Sequence, residues 1–340
     1  MRKFANYLLI ILIVPVLVLS SCKKDSTDDP TASKGTFADL KSYMVASDLD
    51  LPALLDGWVI APKLISEDGI VEDADHTIPG YHVFDIRSAD DFNAGHIKES
   101  INVALADVVT KAADYSDKPI LVVCYSGQTA GRAVMALRLS GYEAKVMKFG
   151  FSYWSSDEYE VDGETRTFDK WTGKIGDPAL TSTNWKTDAS TQLPVFDYPT
   201  WESDNTEGAD ILAEKVDAML GMAWTTSSLD VLENPMDYSI YNFWTPEDYI
   251  EFGHYQHAYQ IKPISIADDL IKAFPNNEEF QVYCFTGQTS SFITAWLQVL
   301  GYSAKSITYG VNSLSHTALD DAEKPAWHHS LEYDYATTTK

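Results

Sequence analysis

Six residues, CYSGQT at Cys124–Thr129, return as CFTGQT at Cys284–Thr289, 160 residues further along the chain. The chain has only three cysteines, so two of them share one local frame. The likeness extends past the loops: LRLSGYEAKVMKFG at Leu137–Gly150 matches LQVLGYSAKSITYG at Leu297–Gly310 at the same offset. Upstream, VFDIRSADDFNAGHI at Val83–Ile97 aligns with IYNFWTPEDYIEFGHY at Ile240–Tyr255 after one inserted residue. A repeat of this length means that whatever unit the first copy builds, the second builds again. The first copy spans 37–178 and the more divergent second spans 206–335. The segment 179–205, rich in Ser, Thr and Asp, reads as a linker.

Within each copy, short apolar runs alternate with helical patterns. Tyr81–Ile86 and Pro119–Cys124 are β-branched runs of the kind expected of strands buried on both faces. Ala130–Gly141 carries apolar residues at Ala133, Val134 and Leu137, with Gly141 placed to end a helix. Ala144–Phe149 reads as the next strand, and Thr36–Met44 and Gly208–Leu220 as matched leading helices. Strand, loop, helix, strand predicts an α/β fold in which each copy is a parallel β-sheet flanked by helices.

Each repeated cysteine therefore ends a strand, with a helix expected five or six residues later. That places the sulfur at the carboxyl edge of a parallel sheet, where ligands bind in open α/β folds. A tight loop around it turns backbone N–H groups inward, and the helix N-terminus adds positive potential. The anion so stabilised is either the thiolate itself, whose pKa would fall, or an oxyanion of a substrate. Gly127 and Gly287 allow the turn, and Thr129 and Thr289 offer hydroxyl donors. A lone cysteine after ILVV is more often a small buried hydrophobe; the matched frame weighs against that reading.

The two cysteine loops and their flanks carry a family resemblance. Phe84–Val103 and Val122–Trp154 resemble a rhodanese domain, with its D-x-R strand end, acidic–aromatic pair before G-H-I, N-V strand and C-x-x-G-x-T loop. The second copy resembles it more weakly, with NFW at Asn242–Trp244 where the first has DIR at Asp85–Arg87. The whole is similar to tandem rhodanese-like sulfurtransferases. The resemblance implies two rhodanese-like domains and a persulfide on Cys124, with Cys284 as a second candidate. It implies a small sulfur-containing donor such as thiosulfate, a thiol or cyanide acceptor, and no cofactor or metal. It also implies a binding loop made of Tyr125, Ser126, Gly127, Gln128 and Thr129, mirrored by Phe285, Thr286, Gly287, Gln288 and Thr289. Asp85 and Arg87 are expected to hold the strand end, and His96 and His254 to be structural turn residues.

Two departures matter. Many thiosulfate-using members end the loop in a basic residue where this chain has Thr129. Arg132, one turn on, either reaches the donor or faces solvent. Aromatic Tyr125, Phe285 and Trp154 either line the sulfur pocket or pack elsewhere. A cysteine phosphatase, the rival of related fold, needs an arginine six residues after the cysteine; Ala130 and Ser290 stand there. A non-catalytic scaffold or sulfur-carrier module is the remaining alternative.

The start of the chain reads as an export signal. Arg2 and Lys3 precede an apolar run, Tyr7–Leu19, too short to span comfortably and broken by Pro15. It ends in LSSC, which resembles the lipobox of bacterial lipoproteins. The resemblance implies a signal peptide at 1–21, lipidation of Cys22, a flexible tether over 22–36, and a place in the bacterial cell envelope. Lys23 after Cys22 leans towards the outer membrane rather than the inner. An exported chain with paired cysteines also leaves a disulfide open on sequence alone. With 50 acidic against 25 basic residues, a net charge of −25, no nucleic-acid partner is expected.

Overall fold

The computed structural model describes residues 33–339. The expected signal peptide, Cys22 and most of the tether lie outside the described residues. The remainder of the tether is structured: Gly35–Thr36 pairs antiparallel with Glu202–Ser203, and Asp39 accepts hydrogen bonds from the Thr36 amide and hydroxyl at the start of the first helix.

Two five-stranded parallel sheets form the body. The first contains β1 (Val59–Ile60), β2 (His82–Asp85), β3 (Ile101–Asn102), β4 (Ile120–Val123) and β5 (Ala144–Met147). The second contains β6 (Thr225–Thr226), β7 (Ile240–Asn242), β8 (Tyr259–Gln260), β9 (Phe280–Tyr283) and β10 (Ala304–Ile307). Their strand orders are 1-5-4-2-3 and 6-10-9-7-8, the same order with β6 standing for β1. The central strands β4 and β9 are buried along their whole length. Both faces are covered, which is why the runs read as continuous apolar segments rather than alternating ones.

Four helices do the covering that matters here: α1 (Phe37–Ala46), α2 (Gln128–Leu139), α3 (Gly208–Leu220) and α4 (Gln288–Val299). Helices α2 and α4 pack against one another, as do α1 and α3. One apolar cluster runs through all four and joins the two sheets, including Leu40, Ala133, Val134, Ile211, Phe292 and Trp296. Small residues bring α2 close to α4: a Cβ added at Gly131 would lie 3.1 Å from Ser291 Oγ and 3.3 Å from the Phe292 nitrogen. Gly141 follows α2 at φ +87°, the left-handed position expected of it.

The expected linker is anchored rather than loose. Trp185–Lys186 pairs with His254–Tyr255, and Trp201 Nε1 donates to the Leu300 carbonyl at 3.1 Å. The C-terminal segment returns to the first sheet, where the Tyr335 amide donates to the Trp154 carbonyl and Thr338 bridges to His96. No helix among the described residues is long and apolar enough to cross a membrane.

Candidate active site at the Cys124 loop

Strand β4 ends at Val123 and α2 begins at Gln128, sooner than the sequence predicted. Gln128 and Thr129 thus belong to the first helical turn, and the loop is only Cys124–Gly127. Gly127 sits at φ +82° as the residue before the helix. The first amides of any helix lack an intrahelical acceptor. Here the cysteine sulfur takes them: Cys124 Sγ accepts from the Gly127 amide at 3.1 Å and the Ala130 amide at 3.3 Å. In the second copy Cys284 Sγ accepts from the Ser290 amide at 3.4 Å and lies 3.6 Å from the Ser290 hydroxyl. Burial matches position by position: both cysteines are buried, Tyr125 and Phe285 half-buried, the next three buried, and Thr129 and Thr289 half-buried. Both cysteines are free thiols in the structure.

The expectation of a depressed thiol pKa is not met. Burial pushes the Cys124 thiol up, and the amides of Ala130, Ser126, Gly127 and Thr129 pull it only part of the way back. Cys124 is 2% exposed, and taking a thiolate out of water costs more than the loop's partial charges return.

An open cleft of about 700 Å³ lies over this loop, lined by Tyr125, Ser126, Gln128 and Thr129 on one side. Trp224, Thr225, Thr308 and Tyr309 of the second copy line it as well. The Tyr309 hydroxyl is pushed up to about 12 by burial, with Cys124 nearby adding to it. Arg166, Lys170 and Lys174, three cations from the segment that follows the first sheet, also line the cleft, together with the carboxylates of Asp91 and Asp169. Arg166 is engaged with Asp91 at 3.3 Å. Lys170 and Lys174 make no ion pair among the described residues. The Lys170 ammonium lies 5.8 Å from the ring centres of both Tyr125 and Tyr159. Its pKa is lowered by burial, so it is partly stripped of water. Sequence reasoning missed these cations; the only signal was their closeness in an acidic chain.

Asp91 organises the rim. It accepts from the Tyr125 hydroxyl and from Tyr159 Oη at 2.7 Å, fixing Tyr125 in the half-buried lining position. Phe285, its counterpart, instead stacks on Trp244 at 4.4 Å. Trp154 is core, fully buried, with its Nε1 donating to the Ala336 carbonyl at 3.3 Å.

Neither reading of Arg132 holds. It is 0% exposed and points across to the second copy, donating to Gln298 Oε1 at 2.9 Å and to the Met219 carbonyl. Burial without a carboxylate pushes its pKa down to about 10. Arg132 ties α2 to α4 and α3, and is not aimed at the cleft. Arg87 does hold the strand end: Nη2 donates to Asp85 Oδ2 at 2.6 Å and to the Gly95 carbonyl at 2.7 Å. His96 stacks on Phe92 at 4.0 Å, with Nδ1 2.8 Å from the Phe92 carbonyl. His254 stacks on Tyr249 at 3.8 Å. Both are seated as structural turn residues. Asp169, His329 and Glu332 bring ligand-type atoms within 4.8 Å of one another. The Asp169 carboxylate is already held by the Trp171 amide and the Thr172 hydroxyl, and the group reads as an ion-pair cluster at the cleft rim.

The match to known proteins falls on this same region. A family model for the rhodanese-like domain matches residues 71–157. The thiosulfate sulfurtransferase GlpE of Pseudomonas savastanoi is 33% identical over 104 residues, covering 30% of this chain and 81% of that protein. The chain belongs to the rhodanese-like family. The uncharacterized protein YibN of Escherichia coli is 34% identical over 80 residues, 22% of this chain and 56% of its own. A crystal structure of a thiosulfate sulfurtransferase from Pseudomonas aeruginosa aligns over 86% of this chain and 48% of its own, at 14% identity and a TM-score of 0.26. Cys124 and its loop lie inside the rhodanese-like match; Cys284 lies outside it.

Proposed function

We propose that this chain is a tandem rhodanese-like sulfurtransferase that carries a sulfane sulfur on Cys124. The observation that carries the reading is the pair of loop amides on Cys124 Sγ beside a cleft whose lining includes Lys170 and Lys174, neither of which makes an ion pair among the described residues. The Cys124 thiol loses its proton to solvent. The thiolate attacks the outer sulfur of a donor such as thiosulfate, and the donor's sulfur–sulfur bond breaks with its electron pair leaving on sulfite. The new persulfide carries negative charge within reach of the loop amides. A thiol acceptor or cyanide, as its anion, then takes the outer sulfur and returns the Cys124 thiolate, a covalent two-step route.

The second copy acts chiefly as a partner. Cys284 receives one backbone amide where Cys124 receives two, and Phe285 is stacked away on Trp244. Its residues Trp224, Thr225, Thr308 and Tyr309 share the cleft with Tyr125, Ser126, Gln128 and Thr129 of the first copy. We further propose that residues 1–21 act as an export signal and that Cys22 is lipidated, which would anchor the chain in the cell envelope; the LSSC resemblance supports this. The test is sulfur transfer from thiosulfate to cyanide, followed as thiocyanate while both substrates are varied. Parallel double-reciprocal lines that vanish in Cys124→Ser are expected. Turnover that survives in Cys124→Ser would overturn the assignment, and no turnover with cyanide or a thiol would leave the scaffold reading in its place.

A further inference from the structure

The repeated frame contains a glutamine for which the persulfide chemistry has no use. Gln128 and Gln288 are the first residues of α2 and α4, and both are buried. Their side chains cross. Gln128 Oε1 accepts from the Tyr309 amide at 2.8 Å, and Gln288 Oε1 accepts from the Phe149 amide at 3.2 Å. Each glutamine therefore bonds the backbone of the other copy.

The two amides are not arbitrary ones. Phe149 and Tyr309 follow β5 and β10 at φ +59° and +58°, and neither amide has a backbone acceptor among the described residues. Each precedes a glycine, Gly150 or Gly310, packed against its own copy's cysteine loop. A Cβ on Gly150 would lie 2.5 Å from the Cys124 carbonyl and the Gly127 nitrogen and 2.7 Å from the Ser126 nitrogen. One on Gly310 would lie 2.3 Å from the Cys284 carbonyl and 2.7 Å from the Gly287 nitrogen. The same turns bond the loops directly, with the Phe151 amide donating to the Cys124 carbonyl at 2.7 Å and the Val311 amide to the Cys284 carbonyl at 3.2 Å.

The glycine before each glutamine has a second use. A Cβ on Gly127 would meet Gln288 Oε1 at 2.9 Å, and one on Gly287 would meet Gln128 Oε1 at 2.4 Å. The G-Q pair is therefore one device: the glycine of one copy leaves room for the glutamine of the other. The Ser291 hydroxyl adds a further crossing bond to the Gln128 carbonyl.

We propose that Gln128 and Gln288 are crosswise positioning residues, each fixing the turn that buttresses the other copy's cysteine loop. On this account Gln288, in the copy outside the family match, sets the aim of the Gly127 and Ala130 amides at Cys124 Sγ. It gives the second copy a reason to keep its G-Q pair whether or not Cys284 carries sulfur. The inference concerns how the Cys124 site proposed above is shaped, and it can be tested without sulfur transfer.

The test uses Gln288→Met in the full chain, which keeps the volume and removes the acceptor. Two readings are taken at Cys124 by peptide mass: sulfur taken up from thiosulfate, and the pH midpoint of alkylation by iodoacetamide. Loss of one hydrogen bond's weight at the turn is expected to lower uptake about five- to ten-fold and to raise the alkylation midpoint, because amides drawn off the sulfur stabilise the thiolate less. Gln298→Ala, which cuts the tie to Arg132 and touches neither loop, is expected to lower the melting temperature and leave the midpoint alone. Gln128→Met is expected to act on Cys284 in the same way, and serves should Gln288→Met not fold. A folded Gln288→Met with an unchanged midpoint, or a midpoint that Gln298→Ala moves as far, overturns the proposal. If the unaltered chain takes up no sulfur, the sulfurtransferase reading fails while the alkylation midpoint still decides this one.

Discussion

Replacing Gly150 with alanine tests whether the turn after β5 shapes the Cys124 loop or merely touches it. Two costs can be separated. Gly150 is at φ +66°, where an L side chain costs about 1–2 kcal/mol. The new Cβ would also fall 2.5–2.7 Å from three backbone atoms of the Cys124 loop. Backbone cannot swing aside as a side-chain tip can, so the loop itself must move, and overpacking of this kind costs about 1–3 kcal/mol. Gly150→Ala should therefore lose about 2–5 kcal/mol in all. Gly141→Ala is the reference: it has a similar φ of +87° and nothing within 4 Å of its Cβ, so it should lose only the conformational part. Urea unfolding by tryptophan fluorescence gives both values, and iodoacetamide labelling of Cys124 reports the loop. The contact term predicts that Gly150→Ala is the less stable of the two and labels at an altered rate, with Gly141→Ala labelling normally. Stabilities for the two variants within about 0.5 kcal/mol of one another, the usual scatter of surface substitutions, would refute the reasoning.

Other outcomes follow from the same geometry. Lys170→Ala should weaken an anionic donor about five-fold, the effect of roughly 1 kcal/mol of charge interaction in a solvated cleft, and should raise the apparent KM for thiosulfate more than it lowers the maximal rate. Added salt should shrink that difference, and a neutral result at low salt would remove Lys170 from donor binding. Alkylation of Cys124 should rise with pH through the range above an ordinary thiol, since burial raises its pKa and only the thiolate reacts. The Tyr309 phenol nearby is itself pushed up to about 12, chiefly by burial. A plateau already reached near neutral pH would contradict this sign. Full-length chain expressed with labelled fatty acid should incorporate label that Cys22→Ser abolishes; label retained in that variant would reject Cys22 as the anchor.

The parts of the fold legible in the sequence were those set by local pattern. The buried runs at β2 and β4, the helix ending at Gly141, and the Asp85–Arg87 strand end follow from periodicity, φ requirements and the family likeness. The repeat carried the two matched sheets. What escaped the sequence depends on contacts between copies. Arg132 looked like a surface or donor-facing residue because its partners, Gln298 and the Met219 carbonyl, are remote in the chain. The glutamines read only as binding-loop residues, because the backbone amides that their side-chain oxygens accept from belong to the other copy. Lys170 gave no motif, being carried by a stretch of the first copy that lies beyond the segments matched in the second. The thiol pKa was misread for a physical reason: a helix N-terminus and a nest of amides argue for a low value, but the same loop that supplies the amides also removes the sulfur from water. Helix α2 began early because the cysteine sulfur itself accepts the Ala130 amide and so takes the place of a capping side chain.

The most direct test of the central claim is the intact mass of the full chain after incubation with thiosulfate, beside Cys124→Ser and Cys284→Ser. The account predicts a gain of one sulfur atom that persists in Cys284→Ser and disappears in Cys124→Ser. A gain that persists in Cys124→Ser, or no gain in any of the three, would contradict it.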